Sequence, residues 1–298
     1  MKKEEKPPVS AAPDIGEADT LARQLRRLAK ENKLALISFI IIVLFIAAAI
    51  AAPILTPYGY EEQDILNRLQ APSAAHLLGT DEAGRDVLTR MLYGSRVSLL
   101  VGLVPTVVSM LLGVLLGMVA GFFGGWVDAL IMRLADIMLA FPSMLLAMVI
   151  MYTLGDGMMN IFLALALVNW ASVARIIRSE TLKLKENEFI EAARSIGVSR
   201  GKMMLRHIFP NCIPSFIVLF TLNVPSAILS ESSLSFLGLG IRPPEASWGL
   251  MVSTGGQFLY SKPLLSLAPS VAIMLVVLAF NFLGDGLRDV LDPQLKRQ

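Results

Sequence analysis

The chain has 298 residues, of which 55% are hydrophobic and only 17% are charged. About a quarter of the residues in a typical soluble domain are charged, so this chain has too few to coat a water-facing surface. The formal net charge is only +2, and no basic patch with interleaved aromatic residues is present, so nucleic acid is not an expected partner. The single Cys212 cannot form a disulfide within the chain. These features exclude an ordinary soluble enzyme.

Six long runs without a charged residue divide the chain. They comprise residues 34–60, 97–127, 137–155, 157–174, 207–230 and 263–284. Each run is strongly apolar and meets the length of about 18 residues that a helix needs to cross a bilayer. The sequence therefore predicts an all-α, polytopic membrane protein with six transmembrane helices.

The lysine and arginine residues predict the orientation of these helices, because such residues beside a span are retained on the cytoplasmic side. Nineteen of them fall on the side that carries residues 1–33, 175–206 and the C-terminal tail, against six on the other side. An even number of spans places both termini on one face. We therefore expect a multi-pass protein of the plasma or inner membrane with both termini in the cytoplasm. The first apolar run lacks a signal-peptide cleavage site and is predicted to be a retained helix.

The apolar runs and the charged segments between them predict the organisation of the chain. In order, these are a cytoplasmic tail (1–33), a first transmembrane helix (34–55), an external segment (56–95), a five-helix transmembrane domain (96–285) and a cytoplasmic tail (286–298). From Thr20, leucines recur at helical spacing among basic residues, which predicts an amphipathic helix on the inner membrane surface. The alternative is that these basic residues only stop translocation.

A ridge of small residues is predicted in the second apolar run. Gly113, Gly117 and Gly121 repeat every fourth residue and so share one face of a helix. In lipid, such a ridge lets two helix backbones approach closely. It predicts tight packing and no chemistry.

No sequence signature of catalysis is found. Residues 197–202 superficially resemble a phosphate-binding loop, but only three residues separate the glycines and Met203 follows the lysine, where that loop needs four residues and a Ser or Thr. His76 and His207 are predicted on opposite sides of the membrane, so they do not form a metal pair. We expect no catalytic residue, cofactor or metal in this chain, and any ATP that drives it must be hydrolysed by another chain.

A short helix is predicted over residues 187–196, in the basic loop after the fourth run. Its apolar positions recur three and four apart, at Phe189, Ile190, Ala193 and Ile196. Gly197 follows where a left-handed residue closes a helix, with Val198 as the accompanying apolar contact. This apolar face needs burial, either by a partner protein, for which Ala192 and Ala193 keep the surface low, or by the bundle itself. Ser199 is predicted to cap a second helix that runs to Pro210.

The order of Glu191-Ala192-Ala193, Gly197 and Ile208-Phe209-Pro210 resembles the coupling loop of the permease subunits of bacterial ABC importers, here residues 176–212. The loop departs from the family pattern in having Phe209 where leucine is common and one extra residue before this ending. The resemblance implies the type I ABC importer permease fold. It also implies that the loop helix sits in a groove of an ATPase subunit and transmits its closure. By that resemblance, the expected ATPase-contact positions are Phe189, Ile190, Glu191, Ala192, Ala193 and Gly197.

Three further stretches, residues 76–90, 234–249 and 283–293, resemble the permeases of dipeptide, oligopeptide and nickel importers. The long N-terminal tail and the short first external loop resemble the second permease of each pair. The resemblance implies a second homologous permease, two ATP-binding subunits that hold ATP and magnesium, an extracytoplasmic substrate-binding protein and a peptide substrate. Nickel and oligosaccharides are alternative substrates within the same architecture. An ion-driven carrier that acts alone is the rival, but it predicts several buried ionisable residues where this sequence has one.

That residue is Glu231, which stands in the most polar stretch of any apolar run, beside Ser230, Ser232 and Ser233. A carboxylate in hydrocarbon is costly and normally faces the bundle interior or a water-filled cavity. One hypothesis is therefore that Glu231 and its serines line the translocation path or a gate. The alternative is that Glu231 pairs with the partner permease and that the serines form hydrogen bonds across helices.

Overall fold

The computed structural model describes residues 32–291. The helices of this part are α1 (Lys33–Leu55), α2 (Val87–Phe123), α3 (Gly125–Ala140), α4 (Ser143–Leu154), α5 (Met158–Lys185), α6 (Glu188–Ser195), α7 (Arg200–Met203), α8 (Phe209–Phe236), α9 (Trp248–Gly256) and α10 (Leu264–Leu291). An isolated β-bridge between Thr80 and Asp86 is the sole extended pairing among the described residues, so the predicted all-α class is confirmed. The amphipathic helix predicted from Thr20 lies outside the described residues.

Five helices are long and apolar enough to cross a membrane: α1, α2, α5, the continuous helix over residues 200–236, and α10. The third predicted span is a bent pair, because α3 and α4 meet at an angle of 92°. The bend lies at Phe141 and Pro142, where Phe141 has extended backbone (φ −93°, ψ 142°), as expected for a residue before proline. Counted as one span, the pair completes six.

Neither arm of the bent pair can cross the membrane alone. The arms have 16 and 12 residues, which correspond to about 24 and 18 Å of helix. The hydrocarbon core is about 30 Å thick. Two carboxylates of α3 form ion pairs with arginines of α5. Asp128 Oδ2 accepts a hydrogen bond from Arg178 Nη2 at 2.6 Å, and Asp136 Oδ1 accepts one from Arg175 Nη2 at 2.7 Å.

Two helix boundaries differ from the predicted ones. The external segment was predicted to run to residue 95, but α2 already begins at Val87, because Asp86 caps it by accepting a hydrogen bond from the Thr89 amide at 2.7 Å. The prediction that the second loop helix ends at Pro210 was wrong. A π-helical turn over Met204–Ile208 connects α7 to α8, so the helix continues to Phe236. Pro210 falls in the first turn after the π-helical turn, where a missing N–H is tolerated.

The predicted glycine ridge is confirmed as the line of contact between α2 and α5. A β-carbon on Gly117 would lie 2.5 Å from the carbonyl oxygen of Ala174. On Gly121 it would lie 2.9 Å from the carbonyl oxygen of Arg178. Because each glycine meets backbone atoms of the facing helix, the two helices touch along this ridge with no room for a side chain.

The two ends of α2 define the two ends of the bundle, because its 37 residues extend over about 55 Å. Near its N-terminal end, Gly94 lies against the carbonyl oxygen of Ala246, just before α9. Near its C-terminal end, Met118 and Phe122 share one apolar cluster with Ile190 of α6. The helices α9 and α6 therefore lie at opposite ends of the bundle.

Candidate coupling helix and polar core of the fifth span

The helix α6 has the predicted glycine ending. Gly197 adopts a left-handed conformation with φ +79°. Its amide donates to the carbonyl of Arg194 at 3.0 Å, and the amide of Val198 donates to that of Ala193 at 3.0 Å. This pair of hydrogen bonds is the Schellman motif, which satisfies the last carbonyls of a helix. The predicted helix, its glycine stop and the role of Val198 are confirmed.

The apolar residues of α6 divide between two faces. Ile190 and Ala193 are buried against the bundle, in a cluster that includes Met203 and Ile208. In contrast, 41% of Phe189 and 81% of Ile196 are exposed. Burial by the bundle is therefore confirmed for one face of this helix, whereas burial of the other face by a partner stays a prediction.

We call this free surface the outer face of α6. It comprises Glu188, Phe189, Glu191, Ala192, Arg194, Ser195 and Ile196, followed by Gly197. A β-carbon on Gly197 would meet nothing within 4 Å. The outer face thus offers a low centre at Ala192 between two exposed apolar side chains and two carboxylates. Ile190 and Ala193, which were predicted as contacts for an ATPase, instead fasten α6 to its own bundle.

The cluster beneath α6 joins several helices. It contains Met118 and Phe122 of α2, Ile177 of α5, and Ile208 and Cys212 of the helix over residues 200–236. Close-packed interiors transmit displacement because they have low compressibility. The inner face of α6 thus shares one apolar cluster with residues of three membrane-spanning helices.

Glu231 is enclosed within the chain. The residue is fully buried, and its Oε1 accepts hydrogen bonds from Ser235 Oγ at 2.7 Å and Ser247 Oγ at 2.9 Å. Its Oε2 has no hydrogen-bond partner among the described residues. A side chain without exposed surface does not line a water-filled path. The burial of Glu231 therefore does not support the hypothesis that it lines the translocation path. Its partners, Ser235 and Ser247, lie in this chain, although the alternative hypothesis placed the partner in a second permease.

The three neighbouring serines bond to their own helix. Ser230, Ser232 and Ser233 donate to the carbonyls four residues earlier, at 2.7, 2.9 and 2.8 Å. Among the described residues, these three serines donate only within α8, and their hydrogen bonding across helices stays a prediction. Ser232 is half-buried beside α9, whereas Ser233 is exposed and Ser230 is partly exposed. The exposed strip continues over Ser226, Leu229 and Phe236, which we call with Ser230 and Ser233 the serine face of α8.

Sequence reasoning missed the pairing of Ser247 with Glu231. The available signal was local: Ser247 precedes Trp248, and a serine before an apolar helical segment is a typical N-cap. In the structure, Ser247 Oγ accepts the Leu250 amide at 3.1 Å while it donates to Glu231. The cap is predictable from sequence, but its second bond, to a residue on another helix, is not.

A second polar cluster, also missed, lies in the segment before α2. Asp81 Oδ2 accepts from Arg85 Nε at 2.7 Å and lies 3.4 Å from Arg90 Nε. Asp86, besides capping α2, contacts His76 Nδ1 at 2.9 Å. All these side chains except that of His76 are buried. The cluster folds the segment onto the N-terminal end of α2.

The two histidines are confirmed to lie apart. His76 contacts Asp86 at the N-terminal end of α2, whereas His207 belongs to the π-helical turn near α6. Over residues 32–291, no group of three or more His, Cys, Asp or Glu side chains is placed to hold a metal ion.

Comparison with known proteins shows similarity to permease subunits of transport systems over nearly the whole chain. Residues 113–297 match the family described as the inner membrane component of binding-protein-dependent transport systems, and residues 20–72 match the N-terminal transmembrane domain of oligopeptide transport permease C. The chain is 47% identical over 267 residues to the dipeptide transport system permease protein DppC of Alkalihalophilus pseudofirmus, which covers 90% of this chain and 88% of the relative. It is 40% identical over 294 residues to the oligopeptide permease OppC of Bacillus subtilis, with 96% of each chain covered.

A third relative extends the range of substrates named. The glutathione transport system permease protein GsiD of Escherichia coli is 42% identical over 270 residues, which is 90% of this chain and 88% of the relative. The family match covers more than half of the chain, and it includes the bent pair α3–α4, α6 and the buried Glu231. The chain therefore belongs to the family of inner-membrane components of binding-protein-dependent transport systems, and it is a multi-pass membrane protein of the type I ABC importer permease fold.

Proposed function

We propose that this chain is one of two permease subunits of an ATP-driven importer of short peptides. The observation that carries the transport role is α6, a helix whose inner face lies in an apolar cluster with residues of three spans and whose outer face is free. The substrate class follows from the relatives, which are named for dipeptide, oligopeptide and glutathione transport, and all of these substrates are peptides.

The proposed orientation places both termini and α6 in the cytoplasm. The excess of lysine and arginine residues on that side supports it. The helix α9 and residues 56–86 then face outward, because they lie at the N-terminal end of α2, opposite α6. An extracytoplasmic binding protein would deliver the peptide to that outer end.

The partners supply the chemistry that this chain lacks. Two ATP-binding subunits hold ATP with magnesium, and one of them receives the outer face of α6. When these subunits close on ATP, α6 moves and displaces α2, α5 and the helix over residues 200–236 through their shared cluster. The two permeases then alternate between openings to the two sides of the membrane.

The translocation path is proposed along the serine face of α8. Ser233 is exposed there and Ser230 is partly exposed. Their hydroxyl protons are already bonded to the helix backbone, so these small side chains present only a weakly polar surface to a passing peptide. Ser232 faces α9 and Glu231 is enclosed, so neither is placed in the path. This assignment keeps part of the predicted set and moves the carboxylate out of it.

Uptake measured in proteoliposomes tests the substrate class. The complex is purified from its own host with its partner subunits and binding protein. Vesicles whose lumen corresponds to the cytoplasmic side are expected to accumulate a labelled tripeptide only when ATP is present in the lumen. Unlabelled dipeptides should compete for uptake, whereas nickel ions and an oligosaccharide should not. ATP-dependent accumulation of nickel or sugar without peptide uptake would overturn the proposed substrate.

Replacement of Ser233 by tryptophan tests the path. The bulky ring is expected to reduce peptide uptake strongly, because it narrows the space along the serine face without entering the core of this chain. Leu44→Trp is the matched control, since Leu44 is 61% exposed on the peripheral helix α1. Equal uptake by the two variants would place the path elsewhere.

A further inference from the structure

The helix α9 is fastened to α2 through Trp248. The Trp248 amide donates to Ser98 Oγ at 2.9 Å, and its Nε1 donates to the carbonyl of Met91 at 3.1 Å. The indole is fully buried and packs edge-on against Phe45 of α1, with ring centroids 5.4 Å apart. One side of α9 is thus anchored in the bundle near the N-terminal end of α2.

The other attachment of α9 is the carboxylate of Glu231. Ser247, the N-cap of α9, donates to Oε1, and Ser235 donates to the same oxygen from one turn further along α8. The carboxylate therefore lies at the N-terminal end of a nine-residue helix, where the helix dipole favours negative charge. This arrangement links α8 directly to α9.

The helices α8 and α9 approach each other as closely as their backbones allow at this point. A β-carbon on Gly249 would lie 2.6 Å from Ser232 Cα and 2.8 Å from Glu231 Oε2. Close by, a β-carbon on Gly240 would lie 2.0 Å from Ser235 Oγ. Because these two glycines have no side chain, the carboxylate of Glu231 and its serine partners have room beside them.

Displacement of α9 from this position carries an electrostatic penalty. If α9 moved away from α8, Glu231 would lose Ser247 and the helix end while it stayed inside the bundle. Ser235, on α8 itself, would remain bonded to Oε1. The buried carboxylate would nevertheless lose one of its two hydrogen bonds, and a hydrogen bond to a charged group contributes more than one between neutral groups. The arrangement therefore favours joint movement of the two helices over separation.

The continuous helix over residues 200–236, of which α8 is the larger part, begins beside α6. Ile208 and Cys212 lie in the cluster beneath α6, and Glu231 lies near the other end of that helix. The residues from 208 to 231 correspond to about 35 Å of helix. A displacement of α6 that tilts this helix therefore reaches α9 through Glu231.

We propose that Glu231 is a positioning residue that locks α9 to α8, so that movement of α6 at one end of the bundle is delivered to α9 at the other. The inference rests on the proposed transport function, in which α9 lies at the outer end of the path. It gives Glu231 a role in transport without contact with the peptide.

Spin labels on the two helices test the lock directly. In a Cys212→Ala background, labels at Leu237 and Gln257, both exposed at the ends of α8 and α9, should give one narrow distance distribution, equal in the nucleotide-free and vanadate-trapped complexes.

Glu231→Ala and Ser247→Ala should broaden this distance distribution and lower peptide uptake per assembled complex about fivefold. Glu231→Gln keeps the Oε1 acceptor, so it should restore the narrow distribution and most of the uptake. Ser109→Ala, which removes a buried hydroxyl that bonds only to its own helix, is the control.

A glycine pair gives an independent readout. Gly249→Ala should broaden the distribution because its methyl group forces α9 away, whereas Gly256→Ala in the same helix meets nothing within 4 Å and should not. Narrow distributions with normal uptake in Ser247→Ala and Gly249→Ala would overturn the lock, even if Glu231→Ala failed to assemble. A failure of the proposed peptide transport would give a different result. The complex would then take up no peptide, while the distances between the two spin labels would still change with these substitutions.

Discussion

ATP hydrolysis that is stimulated by the binding protein is expected to fall about tenfold in a complex that carries Ala192→Trp. Ala192 is exposed at the low centre of the outer face of α6, so the added ring extends into the space proposed for the ATPase subunit. It does not enter the core of this chain, because the inner face of α6 is formed by Ile190 and Ala193. The measurement is the ratio of ATPase rates with and without binding protein in reconstituted complex.

The neighbouring alanine is the matched contrast. Ala193 is 5% exposed, so Ala193→Trp is expected to disrupt the cluster beneath α6 and to reduce the amount of folded chain. Ala192→Ser, which changes polarity but hardly changes size, should retain normal stimulation. If Ala192→Trp were stimulated as strongly as the unmodified complex, the outer face of α6 would not be the site of ATPase coupling.

Gly117→Leu is expected to prevent the chain from folding stably. The β-carbon alone would lie 2.5 Å from the carbonyl oxygen of Ala174 and 3.0 Å from the Ile177 side chain, so α2 and α5 would have to separate. Overpacking of this kind costs about 3 kcal/mol or more when the neighbour is backbone that cannot move aside. We expect several-fold less monodisperse protein in detergent and a clearly lower Tm.

Gly201→Leu is the control for this substitution. Gly201 also lies in a helix, α7, but a β-carbon there meets nothing within 4 Å. A leucine has higher helix propensity than glycine, so this variant should be at least as stable as the unmodified chain. A Tm for Gly117→Leu close to that of Gly201→Leu would show that the α2–α5 contact does not limit stability.

The features that were predictable from sequence are those determined by local chemistry. Runs of uncharged residues predicted the spans because the bilayer requires a minimum apolar length. The glycines at 113, 117 and 121 predicted close packing because four-residue spacing places them on one helix face. Gly197 predicted the end of α6 because a left-handed residue there satisfies the last carbonyls.

Helix boundaries near prolines were predicted less well. Pro142 ends α3, and the chain turns sharply there. Pro210 was expected to end a helix, yet the π-helical turn before it lets the helix continue to Phe236. Both prolines lack an N–H, so the difference lies in whether the surrounding helices favour a bend or a continuous span. That preference cannot be inferred from the proline itself.

The sequence by itself thus determined the class of the protein, its apolar helices and the presence of an exposed helix with a glycine stop. Only the tertiary structure decided which face of that helix is free and where Glu231 belongs. The reason is that both depend on contacts between helices distant in sequence. Ile190 and Ala193 are buried in a cluster with residues of α2, α5 and the helix over residues 200–236, and Glu231 meets Ser247 only because α9 folds back against α8. Periodicity shows that a helix has two faces, but only packing shows what each face contacts.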